Sequence, residues 1–192
     1  RAIDVALDAI EAALEASPAK DHRHRIEHCG LCTSTQIRRM KELGVIPSVS
    51  VGFVYDIGEG YRNSLGSKRS EWIYPLRSLA ESGIRASCNS DWPVSVGNPM
   101  VGLYSAVVRK TWKGQSLGPS QSCSLVDAVR AYTLNGAYAS FEEDRKGSIE
   151  KGKLADLVVL SRDIFNAPPE EILDVKAEMT IVGGKVVYRR ST

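Results

Sequence analysis

The chain has 192 residues, 43% hydrophobic and 25% charged, an ordinary globular balance that excludes a disordered chain. Lys plus Arg number 25 against 23 Asp plus Glu, and a net charge of +2 leaves no electrostatic footprint for nucleic acid or an anionic membrane. No apolar run approaches the ~18 residues of a membrane span, and four cysteines are too sparse for a disulfide scaffold.

The chain opens at Arg1 directly into a helical pattern. Ile3, Leu7, Ile10 and Leu14 recur at three and four beside an acidic stripe of Asp4, Asp8, Glu11 and Glu15, and Ser17-Pro18 ends the run. Residues 24–28 read as a short strand, followed by a helix with Ile37, Met40 and Leu43 inward and Gly44 as its C-terminal cap. Residues 45–51, rich in β-branched side chains, predict a second strand with Pro47 oddly placed inside it. The glycine-rich stretch 52–66 reads as a loop, and a helix begins near Pro75 with Leu76, Leu79 and Ala80 on its core face and Gly83 at its end. Residues 84–90 predict a third strand. Pro93, Gly97 and Pro99 break the next loop, before a helix at 103–111. Ser124 with Asp127 resembles a capping box opening a helix that carries Leu125, Val129, Tyr132 and Leu134.

This alternation predicts parallel β/α units. Near Arg145 the character changes. Residues 157–160 and 179–182 are short strands, and Gly183-Gly184 is a hairpin signal into residues 185–188, so the tail reads as strands of a separate small β-domain. A β/α unit takes about 30 residues and a closed eight-unit barrel ~250. The chain therefore predicts either a small open sheet or the second part of a barrel. Its start at Arg1, with no methionine or leader, reads as a piece of something longer.

All three histidines, His22, His24 and His28, precede Cys29 and Cys32 closely, and His and Cys are the usual ligands of zinc. If residues 24–28 form a strand, His28 and Cys29 point to opposite faces and cannot share one ion. The alternatives are that His22 and His24 are exposed strand-entry residues and the cysteines small buried hydrophobes, or that His28 alone binds a metal elsewhere. Asp91 follows the third strand, just before Trp92-Pro93. The C-terminal ends of parallel strands are where βα loops collect an active site. His28 and Asp91 would share that face, and an imidazole with a carboxylate suits metal binding and proton transfer. The other reading of Asp91 is a turn or helix-capping aspartate.

Five motifs occur in order: His24-Arg25-Ile26-Glu27-His28, Ser90-Asp91-Trp92-Pro93-Val94, Tyr132-Thr133-Leu134-Asn135-Gly136-Ala137, the run from Gly147 to Asp156, and Thr180-Ile181-Val182-Gly183-Gly184-Lys185. Together they closely resemble the amidohydrolase superfamily, in the branch of N-substituted formamide deformylase and the YtcJ-like proteins. The resemblance implies an α/β fold: the C-terminal part of a (β/α)8 TIM-type barrel, strands six to eight at 24–28, 45–51 and 84–90, plus strands of a small β-sandwich domain. It divides the chain into residues 1–146, the barrel part, and 147–192, the sandwich strands. It implies a divalent metal, zinc being the expected ion, with His28 and Asp91 as ligands, Asp91 also as the catalytic base, and Trp92 lining the substrate pocket. Asn89 stands where a glycine is more usual.

The family's first-strand His-x-His pair, its strand-four ligand and its strand-five histidine have no counterpart, and His22-x-His24 is not assigned to that role. The expectation is therefore a hydrolase of non-peptide carbon–nitrogen bonds, amide or formamide in type, in a longer cytoplasmic parent, with this piece inactive alone. Its partners would be a small-molecule substrate and either a second copy or the missing half of the parent. The alternative is a non-catalytic fragment or subunit completing a barrel with another chain. The outer strands would then be edges, with Ile26, Val49 and Ala86 as exposed inward faces.

Overall fold

Three parallel strands form the first sheet, in the order β1 (Arg25–His28), β2 (Ile46–Val49), β3 (Ser87–Cys88). The structure is a computed structural model, and it describes residues 1–191. Parallel neighbours need crossover connections. Helix α2 (Ser34–Leu43) makes the first crossing, and α3 (Phe53–Asp56), α4 (Gly58–Ser70) and α5 (Leu76–Glu81) make the second. Ahead of them α1 (Ala2–Ala16) packs on α2, burying Leu7 completely, while Arg39 reaches back to Asp8 and Glu11. Gly44 closes α2 in the left-handed region at φ 70°, as the sequence predicts.

Pro47 sits in the central strand without breaking it. Ile46 N donates toward β1, to the carbonyl of His24, so the missing N–H of Pro47 falls on the β3 side. There the pairing begins only at Ser48 with Ser87, beyond the proline. β3 is shorter than the predicted 84–90 because Ala86 N turns back to the Ile84 carbonyl, and the paired stretch is two residues.

The predicted loop at 52–66 is instead α3 and most of α4, kinked at Gly66. Its glycines serve close packing as well as turning. A Cβ on Gly58 would lie 2.7 Å from Thr111 Cγ2, so propensity yields to burial here. Helix α6 (Pro99–Val107) starts earlier than the predicted 103–111. Asn98 caps it by accepting from Met100 N, and Pro99, read above as a loop breaker, is its first residue. Helix α7 (Leu125–Tyr132) stops at Thr133, and α8 (Leu134–Ala139) continues separately.

Ser124 does cap α7, its Oγ accepting from Asp127 N at 3.1 Å. The box is modified, because the same hydroxyl donates to the Asp127 carboxylate at 2.6 Å. Ser124→Ala should cost about 1 kcal/mol, seen as a lowered urea midpoint. An unchanged midpoint would mean that water replaces the cap fully.

The second sheet is antiparallel, in the order β4 (Leu157–Leu160), β5 (Ala177–Val182), β6 (Lys185–Arg189). Gly183 and Gly184, at φ 56° and 78°, make the predicted tight turn between β5 and β6. Ahead of β5 the 3₁₀ turn at Pro169–Asp174 packs on α6, and Ile164, Ile172 and Val175 join the core that surrounds Val49 and Val51. No closed barrel forms among the described residues, and β1 and β3 are the edges of the first sheet. The expectation of exposed inward faces fails at two of three positions. Val49 lies in the central strand within the core, and Ala86 is buried where α7 and α8 pack on β3 and Asn135 donates to its carbonyl, while Ile26 is half-buried. Among the described residues no helix is long and apolar enough to cross a membrane.

Candidate metal centre

His28 ends β1 and Asp91 follows β3, so both stand at the C-terminal edge of the parallel sheet. Each turns its backbone into the left-handed region, φ 65° for His28 and 54° for Asp91. That region is uncommon for non-glycine residues, and His and Asp are among those that enter it most readily. Their side chains converge: His28 Nδ1 lies 3.9 Å from Asp91 Oδ2. The side chains are 51% and 36% exposed, so the pair sits on an open face rather than in a closed cleft.

The imidazole is held from two sides. Nδ1 lies 2.9 Å from Ser50 Oγ, and the ring stacks on Phe53 with centroids 6.4 Å apart. Phe53 in turn meets Tyr74 edge-on at 6.0 Å, and the Tyr74 and Tyr61 hydroxyls share a 2.7 Å hydrogen bond. Burial, then that bond, pushes the Tyr74 phenol above its usual range, so it stays protonated.

The turn-capping reading of Asp91 finds no support. Ser90 Oγ, not the Asp91 carboxylate, accepts from Trp92 N at 3.3 Å, and among the described residues that carboxylate takes no backbone hydrogen bond. Trp92 lies 73% exposed in the following loop, its indole against Gly97, where a Cβ would come within 2.9 Å of Cδ1. The loop is tied down at its far side by Asp56, which accepts from Ser95 Oγ and from Val96 N.

The histidine–cysteine cluster does not assemble. His22 Nε2 lies 2.7 Å from the Leu43 carbonyl and its Nδ1 accepts from His24 N, so both ring nitrogens are engaged. Cys29 and Cys32 are buried, and burial raises both thiols, Cys32 to about 12, which keeps them protonated. No group of three or more His, Cys, Asp or Glu arranged to hold an ion exists among the described residues. Two residues of the site escaped the sequence reading: Ser48 and Ser50. Their signal was a pair of hydroxyls at alternate positions of an otherwise apolar strand, both buried.

The model of the Amidohydrolase family matches residues 1–188. The chain belongs to that family. Among other members, this amidohydrolase-family chain is 35% identical over 191 residues to N-substituted formamide deformylase of Arthrobacter pascens, covering 99% of this chain and 35% of the relative. It is 28% identical over 192 residues to the putative amidohydrolase YtcJ of Bacillus subtilis, covering 98% of this chain and 36% of that protein. The crystal structure of an uncharacterised metal-dependent hydrolase from Pyrococcus horikoshii superposes with a TM-score of 0.74 at 28% identity, over 88% of this chain and 33% of its own. The chain spans about a third of the length of the curated relatives it matches.

Proposed function

We propose that this chain supplies the His28–Asp91 part of a metal-dependent hydrolase site acting on non-peptide carbon–nitrogen bonds, amide or formamide in type. The observation that carries the reading is the 3.9 Å approach of an imidazole and a carboxylate at the C-terminal edge of a parallel sheet, in an amidohydrolase-family chain. The donor chemistry fits a divalent ion. His28 is anchored through Nδ1, which leaves Nε2 to ligate, and the Asp91 carboxylate takes no backbone hydrogen bond among the described residues. Two donors are fewer than the three or four that hold zinc, so the remaining ligands come from outside this chain, from the rest of a longer parent or from a partner copy.

His28 Nε2 and the Asp91 carboxylate would hold a divalent ion, zinc being the expected one, which would lower the pKa of a bound water toward neutrality and polarise the scissile carbonyl. Asp91 takes the proton of the attacking water and returns it to the leaving nitrogen. Trp92, exposed beside Asp91, borders the substrate. In this reading β1, β2 and β3 are strands six, seven and eight of a barrel within residues 1–146, and residues 147–192 contribute the small sheet. The similarity to a formamide deformylase favours formamides as substrates.

Metal analysis and a formate-release assay test this. The 192-residue chain alone should carry well under one zinc and release no formate. With the ligand set completed, formate release should appear, stop on chelation, and fall in His28→Ala together with metal content. Formate release indifferent to chelators and to His28 would overturn the reading in favour of a non-catalytic chain completing another's barrel.

A further inference from the structure

Behind His28 runs a row of side chains in which only one placement of the hydrogens satisfies every contact. Asn89 Nδ2 faces two oxygens of Ser48, the backbone carbonyl at 3.0 Å and Oγ at 2.8 Å. A carbonyl only accepts, so the amide nitrogen belongs on that side and Oδ1 on the other. Oδ1 accepts the Ser50 hydroxyl at 2.9 Å. Ser50 has one hydroxyl hydrogen, already directed at Asn89, so it presents a lone pair to His28 Nδ1 at 2.9 Å. Nδ1 therefore carries the hydrogen. The Asp91 carboxylate, 3.9 Å from the same nitrogen, is also an acceptor and favours the same placement. Ser50 is fully buried and Ser48 nearly so, which keeps water from scrambling the row.

We propose that Asn89 and Ser50 are positioning residues that lock His28 in its Nδ1–H tautomer, so that the Nε2 lone pair is what the site presents to a divalent cation. The proposal rests on the metal-dependent reading above and names residues that reading does not need. It also gives a role to the asparagine standing where the family resemblance implies glycine. With Asn89 removed, Ser50 is free to turn its hydrogen toward Nδ1, which moves the ring hydrogen to Nε2 and blocks ligation there.

The chain has only three histidines, so long-range ¹H–¹⁵N spectra of the labelled protein at about pH 8.5, above the usual imidazole range of ~6.5, resolve each ring. His28→Gln assigns the signals. In the wild type Nδ1 should show the shift of a protonated nitrogen and Nε2 that of an unprotonated one. Asn89→Ala and Ser50→Ala should each convert this to a mixture or reverse it. In the protein with its ligand set complete, each should weaken zinc binding by about 10–100-fold. A wild-type His28 protonated on Nε2 overturns the proposal, as does an Nδ1–H tautomer unchanged in both variants. A tautomer lost in the variants while added Zn²⁺ leaves the His28 Nε2 signal unmoved in the completed protein supports the lock and counts against the metal reading instead.

Discussion

Asp91→Asn, in the protein with its metal ligands complete, should keep its fold and lose kcat by about 10²–10⁴-fold, the usual contribution of a positioned general base. The amide matches the carboxylate in shape, so the 3.9 Å spacing to His28 can survive while the proton acceptor does not. Circular dichroism and zinc content check the first half of that statement, and turnover of an N-substituted formamide the second. His28→Ala should behave differently: metal occupancy falls first, and excess zinc recovers part of the rate. If Asp91→Asn were as active as wild type, the carboxylate would have no part in proton transfer. It would not revert to a capping role, because Ser90 already accepts from Trp92 N.

Periodicity and punctuation made most elements legible. The 3.6-residue stripe of α1, the Gly44 cap, the Ser124 cap and the Gly183-Gly184 turn are local signals, and local signals survive folding when nothing in the tertiary structure opposes them. The stretch from Gly52 to Gly66 was unreadable for the opposite reason. Its glycines lower helix propensity, yet Phe53 and Val54 are buried and Gly58 lies against Thr111, so packing decides the conformation. Pro47 looked wrong in a strand only because the sequence cannot say that β3 reaches no further than Ser48.

The site was legible to the extent that strand ends are. A histidine and an aspartate at the ends of two parallel strands fall on one edge by topology, whatever lies between them. The sequence could not show that Ser50 and Asn89, 39 positions apart, would meet behind His28. Nor could it show that His22 would be used up by the Leu43 carbonyl and by His24 N. The first depends on how β2 and β3 pair, where a one-residue slip would turn a strand's side chains to the other face, and the second on where the segment ahead of β1 meets the end of α2.

The largest effect on stability should come from Arg109→Met. Arg109 is fully buried, and its guanidinium meets four backbone carbonyls and, among the described residues, no carboxylate. Nε donates to Leu117 O and Gly118 O at 3.1 Å each, Nη1 to Tyr74 O at 3.3 Å and Nη2 to Ile73 O at 2.7 Å. Burial pulls its pKa down to about 10, which still leaves a cation at neutral pH. One side chain thus pins residues 73–74 to residues 117–118. Gly118 is part of the fit, since a Cβ there would lie 2.8 Å from Arg109 Nη2 and 2.9 Å from Ser70 O, at φ 58°. Methionine keeps the bulk and removes every donor. Gly118 O and Tyr74 O still accept from Gln121 N and Leu76 N, so the carbonyls stripped of their donor are those of Ile73 and Leu117. At about 1–3 kcal/mol for each, the loss should reach about 3–5 kcal/mol. That is a large share of the ~5–15 kcal/mol available to a domain. Arg109→Lys should fall between, because an ammonium is a single point and cannot span both pairs of carbonyls. Urea midpoints of the two variants measure this. The damage should also reach the site: Tyr74 contacts Phe53, which stacks on His28, so Arg109→Lys should shift the His28 ring signals even where the chain stays folded. Equal midpoints for wild type and Arg109→Met would show that water serves the carbonyls of Ile73 and Leu117, and that Phe53 and His28 owe their placement to something other than this clamp.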